Sequence, residues 1–530
     1  MTKLMRKCVD SWSRFLLVVA FGAGAANLHA QTGGQTSEQQ TVATQLPLSG
    51  RGTGNGSVAA TQSAIPGTTS SVNTINTSVQ ESGSYAGSAS SAAIPFSGKL
   101  SFQEAIQRGL QYNLGAIGLN SAMRQASGQS RVARSVLLPN LNASLSETVQ
   151  QTDLAALGVR FSSPIPGFGI PTIVGPFNYF DLRARLSQTV ADMTAVNNYR
   201  SSKETVKADQ FSMRDARDLV VLAVGGAYLQ VIAAQARVES ARAQLETAEA
   251  EYKQASEKRS AGVLALTDLN RTEVQLLTTR ERVVSLGNDD AKQKINLARL
   301  VGLPATDRFE IADSIPFSPA PPMELEAALR QAFSQRPDLQ AAQAQIRAAQ
   351  YTHSAARAER LPSLSLNADY GVIGTNPAES HGTFAVVGTL RVPIWLGGRT
   401  EGDIEQADAA LEQRKAELED VRGHIENDVR SAFLDLQAAA AQVDVARRNL
   451  EVTRQTLDLT QQRVDAGVTE YVEMIQAREA VASANLDYIN SVFSHNVAKL
   501  SLARAIGGAA ENLPTYFGGL TGPLPRAKSN

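Results

Sequence analysis

Ser363-Leu364-Ser365-Leu366-Asn367-Ala368-Asp369-Tyr370-Gly371-Val372 alternates without a miss. Leu364, Leu366, Ala368, Tyr370 and Val372 fall on one side of an extended chain, and Ser363, Ser365, Asn367, Asp369 and Gly371 on the other, which is the period-2 pattern of a strand with one apolar face. The length is that of a tilted strand crossing a bilayer. Its partner runs from Phe384 to Trp395, with Phe384, Val386, Leu390, Val392 and Ile394 on one face and Thr389 and Arg391 on the other; the turn between them, Thr375 to Gly382, is polar. These two strands are placed at about 362–372 and 383–395.

A second pair lies earlier in the chain, at about 139–150 and 177–188. Leu141, Ala143 and Leu145 alternate with Asn140, Asn142 and Ser144; Phe180, Leu182, Ala184 and Leu186 alternate with Asp181, Arg183, Arg185 and Ser187. Charges confined to one face suit a watery lumen, with the other face in lipid. Leu364, Leu366, Tyr370, Phe384, Val386, Leu390 and Trp395 are therefore expected to face lipid, and Tyr179, Phe180, Tyr370, Phe384 and Trp395 read as aromatics of a membrane interface. A small soluble sheet packed on helices would alternate identically. Four strands cannot close a barrel, and an open edge is not tolerated in lipid, so the chain is expected to oligomerise. Three copies supply twelve strands; two supply eight, a barrel whose interior side chains fill.

The rest of the chain is helical in pattern and duplicated. Leu100-Ser-Phe-Gln-Glu-Ala105 through Leu137-Leu138-Pro139 recurs as Met323-Glu-Leu-Glu-Ala-Ala328 through Arg360-Leu361-Pro362, at an offset of 223. Ala227-Tyr228-Leu229, Ala261-Gly262-Val263 and Leu297-Ala298-Arg299 recur as Ala432-Phe433-Leu434, Ala466-Gly467-Val468 and Leu502-Ala503-Arg504, at an offset of 205. The difference places an 18-residue insertion in the first copy, expected in the Pro/Gly-rich stretch Gly158 to Pro176. Such self-similarity signals a repeated supersecondary unit.

Each copy reads as a helix of about 35 residues ending at Leu-Pro, two strands, a helix of about 70 residues, an Ala-Gly-Val break and a helix of about 40. No proline interrupts the chain between Pro176 and Pro304 or between Pro393 and Pro514, as long helices require. A 70-residue helix is roughly 105 Å long, more than an ordinary domain's diameter. The two shorter helices together match it, so they are expected to stack end to end beside it. Ile404, Ala407, Leu411, Leu418, Val421, Ile425, Val429, Ala432, Leu436, Ala439, Val443, Ala446, Leu450 and Leu457 repeat by threes and fours, a coiled-coil-like seam.

Lys3, Arg6, Lys7 and Arg14 precede an apolar run from Phe15 to Ala26 that ends at Leu28-His29-Ala30, so residues 1–30 are expected to be a cleaved export signal. The only cysteine, Cys8, would leave with it, which removes disulfides and thiolate chemistry. With the leader go four basic residues and one acid, lowering the totals of 50 and 51 to 46 and 50, a net charge of −4. That balance excludes a nucleic-acid binder by charge. No uninterrupted apolar run beyond Gln31 approaches eighteen residues, so any membrane crossing is assigned to strands. Residues 31–97 are rich in Ser, Thr, Gly, Gln and Ala, with Arg51 the only basic residue, and are expected to be disordered. Residues 98–303 then form the first repeat, 304–322 an inter-repeat linker or equatorial segment, 323–508 the second repeat and 509–530 a tail.

The duplicated Leu-Pro ahead of a strand, Arg391-Val392-Pro393-Ile394-Trp395-Leu396-Gly397-Gly398 before the second long helix, and the paired Ala-Gly-Val breaks resemble the TolC-type outer membrane efflux proteins, from Leu100 to Gly507. The resemblance implies a mainly α chain with a transmembrane β-barrel part: a homotrimer with a 12-strand barrel in the outer membrane, continued by an α-helical periplasmic tunnel. It implies docking to a periplasmic adaptor and an inner-membrane transporter, in an efflux channel of a tripartite system. The exit duct of a type I protein-secretion system and, in another class, a soluble periplasmic coiled-coil scaffold are the alternatives.

In the family the two helix breaks form the tapered tips that meet the adaptor, which makes Gly262, Val263, Leu264, Gly467, Val468 and Thr469 the contact candidates; as helix-hairpin turns they need no partner. Two gate candidates follow from the same resemblance. Asp268 sits where related channels carry an acid that locks the closed tip through a tyrosine and an arginine, yet the matching positions here are Val464 and Thr469. Glu473 falls where a carboxylate lines the constriction, and three copies would form a cation-attracting ring; a solvated helix face explains it equally well. His353, His381, His424 and His495 are scattered, so no catalytic residue, metal site or cofactor is expected.

Overall fold

Two long helices organise the chain. α3 (Met193–Ser260) has 68 residues and α7 (Arg399–Asp465) has 67, as the duplicated, proline-free stretches require. The computed structural model describes residues 56–65, 74–89, 98–158, 172–304, 309–314 and 317–517; the expected export signal, residues 159–171 of the expected insertion and residues 518–530 of the expected tail lie outside them.

The shorter helices are α1 (Phe102–Tyr112), α2 (Leu114–Ser135), α4 (Leu266–Val301), α5 (Leu325–Gln335), α6 (Pro337–Ala358), α8 (Tyr471–Ala505) and α9 (Ala509–Phe517). Towards the strands the packing order is α2, α3, α6, α7; towards the helix breaks it is α4, α3, α8, α7. α2 and α4 thus share the length of α3, and α6 and α8 that of α7.

The expected 35-residue helix ahead of each strand pair is in fact two helices, broken at equivalent positions. At Asn113 the backbone is extended, and its carboxamide oxygen caps α2 by accepting from Gly115 N at 2.9 Å. At Arg336 the following proline excludes the helical conformation, and Pro337 then opens α6. Propensity and apolar periodicity run through both sites; a single capping residue in one case and a proline in the other break them.

Among the described residues eight strands complete the fold: β1 (Val58–Ile65), β2 (Thr74–Glu81), β3 (Gly98–Leu100), β4 (Asn140–Asp153), β5 (Ile173–Ala191), β6 (Phe309–Ile311), β7 (Ser363–Gly374) and β8 (His381–Arg391). β4-β5-β7-β8 form one antiparallel sheet in that order. The first hairpin is the longer, with 19 residues in β5 against 11 in β8, and β5 begins inside the stretch expected to hold the insertion. β8 stops at Arg391, short of the expected end at 395. Pro393 has no N–H for a ladder bond, so Trp395 lies beyond the sheet in the connector to α7, 85% exposed.

The principal core lies at mid-length of α3. Val220, Val221, Val224, Tyr228 and Val231 pack against Leu100, Phe102, Ile106, Leu297, Leu300, Val497 and Leu500. β3 pairs with β6, so the inter-repeat segment is tied to the start of the first repeat. Tyr228 Oη sits 2.8 Å from the Leu100 carbonyl, and Asp313 accepts from Phe102 N at 2.6 Å. α3 also contains an 18-residue window apolar enough by composition to cross a membrane, contrary to the expectation from uninterrupted runs; 72% of it is buried in this core.

The low-complexity segment is a second correction, because its described part is folded. β1 and β2 pair over their whole length and lie on α3 and α8. Thr77 donates to Ser494 Oγ at 2.8 Å, and a Cβ at Gly226 would meet the Val79 side chain at 2.5 Å. Tyr85 is buried against α2, and Asn113 Nδ2 donates to its carbonyl at 2.9 Å. The expected tail is likewise anchored at its start, where Asp218 accepts from Gly508 N at 3.1 Å and Ala510 N at 3.0 Å ahead of α9.

His495, on α8 beside this hairpin, is fully buried against Phe317, and its two ring nitrogens have no hydrogen-bond partner among the described residues. Burial first, and the Lys499 charge second, push its pKa down to about 4. Between pH 6.5, its ordinary value, and pH 4 the unfolded chain binds a proton that the folded chain refuses, so stability falls as pH falls across that window. His495→Leu is expected to remove an acid-limb loss on the order of 3 kcal/mol. Urea midpoints at pH 7 and pH 4.5 check this, and an unchanged difference between them would refute it.

Candidate functional site

The two helix breaks are built alike. α3 ends with Ala261 as its C-cap, and Gly262 follows in the left-handed region at φ 77°. Gly262 N donates to Arg259 O and Val263 N to Lys258 O, both at 2.9 Å. α7 ends the same way: Gly467 has φ 71°, Gly467 N donates to Val464 O at 3.0 Å and Val468 N to Arg463 O at 2.9 Å. Both are Schellman endings, in which glycine meets the left-handed backbone without a Cβ penalty.

Past each glycine an apolar side chain points into solvent, Val263 at 77% and Val468 at 70% exposure. Leu264 and Thr469 are half-buried, and the Leu264 carbonyl accepts from Arg259 Nη1 at 3.1 Å. Val468 also lines an open groove with Thr456, Leu459, Thr460, Arg463 and Ala466.

Contacts between α3 and α8 bring both tips to the same end of the molecule. Arg237 Nη2 donates to Asn490 at 2.7 Å, Asn485 Nδ2 to Ser240 at 2.6 Å, and, nearest the tips, Arg478 pairs with Glu251. Glu479 accepts from Gln275 at 2.7 Å and from Arg282 at 3.3 Å. These polar links fasten one hairpin to the other. Sequence reasoning missed them because each partner alone reads as one more polar residue on a solvated helix face.

Asp268 and Glu473 both occupy the first turn of a helix, where backbone N–H groups favour an acid. Asp268 pairs with Arg271 one turn along its own helix, at 3.2 Å. That gives the acid a partner in place of the tyrosine and arginine missing from its expected surroundings. Glu473 is exposed, and its carboxylate has no ion pair among the described residues.

At the other end, the sheet register sorts the strands into two faces. Leu141, Ala143 and Leu145 lie opposite Leu186, Ala184 and Leu182, which continue to Ala368, Tyr370 and Val372 and on to Val386 and Phe384. Leu364 is registered with Leu390, and Leu366 shares their face. This face is bare, with Phe384 77% and Leu145 72% exposed. Asn142, Ser144, Arg183, Arg185, Asn367 and Asp369 share the opposite face, and so does Tyr179, through its register with Thr148. Tyr179 therefore stands on the side of the charges, stacked on Phe177 at 6.4 Å, rather than with the interface aromatics among which its sequence neighbours placed it.

The helical flanks carry two further exposed apolar stripes. Val274, Leu277, Val284 and Ile295 on α4, and Leu434, Val445, Val452 and Leu459 on α7, are exposed. Their spacings of 3, 7 and 11 residues hold each set on one face of its helix. α4 and α7 are the two outer helices of the lower layer. Among the described residues no three His, Cys, Asp or Glu side chains gather as a metal site.

A family model described as outer membrane efflux protein matches residues 120–303 and 328–508, once in each repeat. Outer membrane protein OprJ of Pseudomonas aeruginosa is 28% identical over 313 residues, covering 56% of this chain and 62% of that protein. Outer membrane protein TolC of Vibrio cholerae is 24% identical over 408 residues, covering 74% and 87%. The alignments thus span about three fifths of OprJ and most of TolC. Among solved structures, the Campylobacter jejuni CmeC outer membrane channel superposes with a TM-score of 0.65 at 18% identity, covering 77% of this chain and 86% of that one. The open state of the Neisseria gonorrhoeae MtrE outer membrane channel gives 0.62 at 18%, covering 77% and 89%.

Proposed function

The chain belongs to the outer membrane efflux protein family, and from that premise we propose that it forms, as a homotrimer, the outer-membrane channel of a tripartite efflux system. The observation that carries this reading is the four-stranded sheet, whose one face is mainly apolar and bare and whose strands β4 and β8 each have one edge unpaired among the described residues. In water that face would leave Leu141, Leu145, Tyr370, Phe384, Val386 and Leu390 exposed, a cost a soluble scaffold has no means to offset. In lipid it is the expected outer surface of a barrel, provided the edges are closed by other copies. Three copies give twelve strands.

The stripes on α4 and α7 support the same assembly. Each is exposed among the described residues, and juxtaposing α4 of one protomer with α7 of the next would bury both and close a ring of helices below the barrel. Solutes would enter at the tips, where Gly262, Val263, Leu264, Gly467, Val468 and Thr469 would meet a periplasmic adaptor that links the duct to an inner-membrane transporter. Asp268 and Glu473 would line the entrance. The chain itself would perform no covalent chemistry.

Single-channel recording of the purified protein in a planar bilayer tests the reading, together with sedimentation in detergent. Discrete conductance steps from a trimeric species are expected. Absence of conductance from a species that sediments as a monomer would refute it.

A further inference from the structure

The polar face of the sheet holds few charges, and one of them, Arg391, stands beyond β4, registered with Ser363. Across the span where all four strands are registered, from Asn140 to Ser146 on β4, its acids are Asp181 and Asp369 and its permanent cations are Arg183 and Arg185. Arg183 takes both acids: its Nε lies 3.2 Å from Asp181, one terminal nitrogen pairs with Asp369, and the other donates to Thr383 Oγ1 at 3.1 Å. The three side chains form a cluster embedded in the wall, with an acid in excess.

Arg185 is different. It stands two residues along β5 on the same face, is registered opposite Asn142 and Asp369, is exposed, and has no ion pair among the described residues because the nearest acid is held by Arg183. Two residues of strand are about 6.6 Å, less than the roughly 8 Å over which physiological salt screens a charge. A solute passing this wall therefore meets the acid excess and the free guanidinium together.

We propose that Arg185 sets the ion selectivity of the barrel: it is the exposed charge that offsets the local acid excess around Arg183 and so favours anionic solutes at that level of the wall. This rests on the reading of the sheet as one third of a barrel whose polar face lines the lumen. At this level three copies give a neutral belt with three exposed guanidinium groups. Replacement by a neutral side chain leaves one uncompensated acid per protomer, and replacement by glutamate leaves two.

Reversal potentials across a potassium chloride gradient test this in the full-length protein, comparing wild type with R185K, R185Q and R185E in planar bilayers. The potassium-to-chloride permeability ratio is expected to match wild type in R185K, to rise by about twofold in R185Q and to rise again in R185E, most steeply at low ionic strength. Conducting channels whose ratio is the same in all four proteins would overturn the assignment of Arg185 while leaving the duct intact. A wild-type protein without conductance would overturn the underlying reading instead. R185K guards against a folding artefact, since it keeps the charge and changes the shape.

Discussion

Arg336→Ala is expected to cost about 3 kcal/mol, because it removes a buried guanidinium with its charge-assisted hydrogen bonds and leaves two partly exposed acids behind. The Arg336 side chain is 3% exposed. It donates to both oxygens of Asp338, at 3.1 and 2.6 Å, to Asp428 at 2.9 Å and to the Ala505 carbonyl at 3.3 Å. Burial works against the guanidinium; the hydrogen bonds and charges of Asp338, then Asp428, outweigh it and hold its pKa above the ordinary arginine value. The same pairing holds Asp338 below the usual carboxylate range although burial pushes it up.

Alanine leaves Asp338, 25% exposed, with its main counterion gone. The damage would not stay local, because Arg336 sits at the α5–α6 break and reaches the end of α8 through Ala505. Arg336→Lys should recover only part of the loss, since an ammonium cannot reproduce the two-pronged contact with Asp338. Asp428→Asn should be milder, because Asp428 is 40% exposed. The readout is the melting of the helical circular-dichroism signal in detergent: a fall of several degrees for Arg336→Ala, and little for Asp428→Asn. Equal melting of wild type and Arg336→Ala would show that the cluster contributes nothing net.

Which parts of this molecule could be read from the chain alone follows from the kind of interaction that specifies each. β7 was legible because every second residue obeys one rule, and a pleated strand converts that rule directly into a face. The tips were legible because only glycine takes the left-handed backbone cheaply, so Gly262 and Gly467 mark the helix ends by themselves. The β1–β2 hairpin was not, because its docking uses Thr77 on Ser494 and Val79 on Gly226, contacts made with residues far away in the chain. The end of β8 was misplaced because alternation continues through Val392 and Ile394 although Pro393 has ended the ladder. The charge arrangement on β5 was visible as alternation, yet which arginine takes the acids is settled only by neighbouring strands, and that distinction separates Arg183 from Arg185. The inter-hairpin links of Arg478 and Glu479 were invisible for the same reason.

Gly467→Asp is expected to lower export, read as resistance or as secreted solute, by at least about tenfold while the trimer persists, on the order of 1.4 kcal/mol or more lost from docking. The structure separates the two outcomes. A Cβ at Gly467 meets no atom within 4 Å, so the substitution makes no clash, and the only folding cost is the left-handed backbone, about 1–2 kcal/mol for an ordinary residue and less for aspartate. The Schellman bonds from Gly467 N and Val468 N are main-chain bonds that the new side chain does not remove. What changes is the surface: a carboxylate is added next to exposed Val468, which lines the groove with Leu459, Thr460 and Arg463. An apolar docking contact pays the desolvation of that charge with no designed partner. Gly467→Asn imposes the same backbone demand without the charge, so it should retain most of the export; equal loss in both would trace the defect to the backbone. Gly262→Asp should behave as Gly467→Asp does if both tips touch the adaptor, because the two endings share one geometry. Normal export by Gly467→Asp, with the variant present in the outer membrane at wild-type level, would remove this tip from the docking surface.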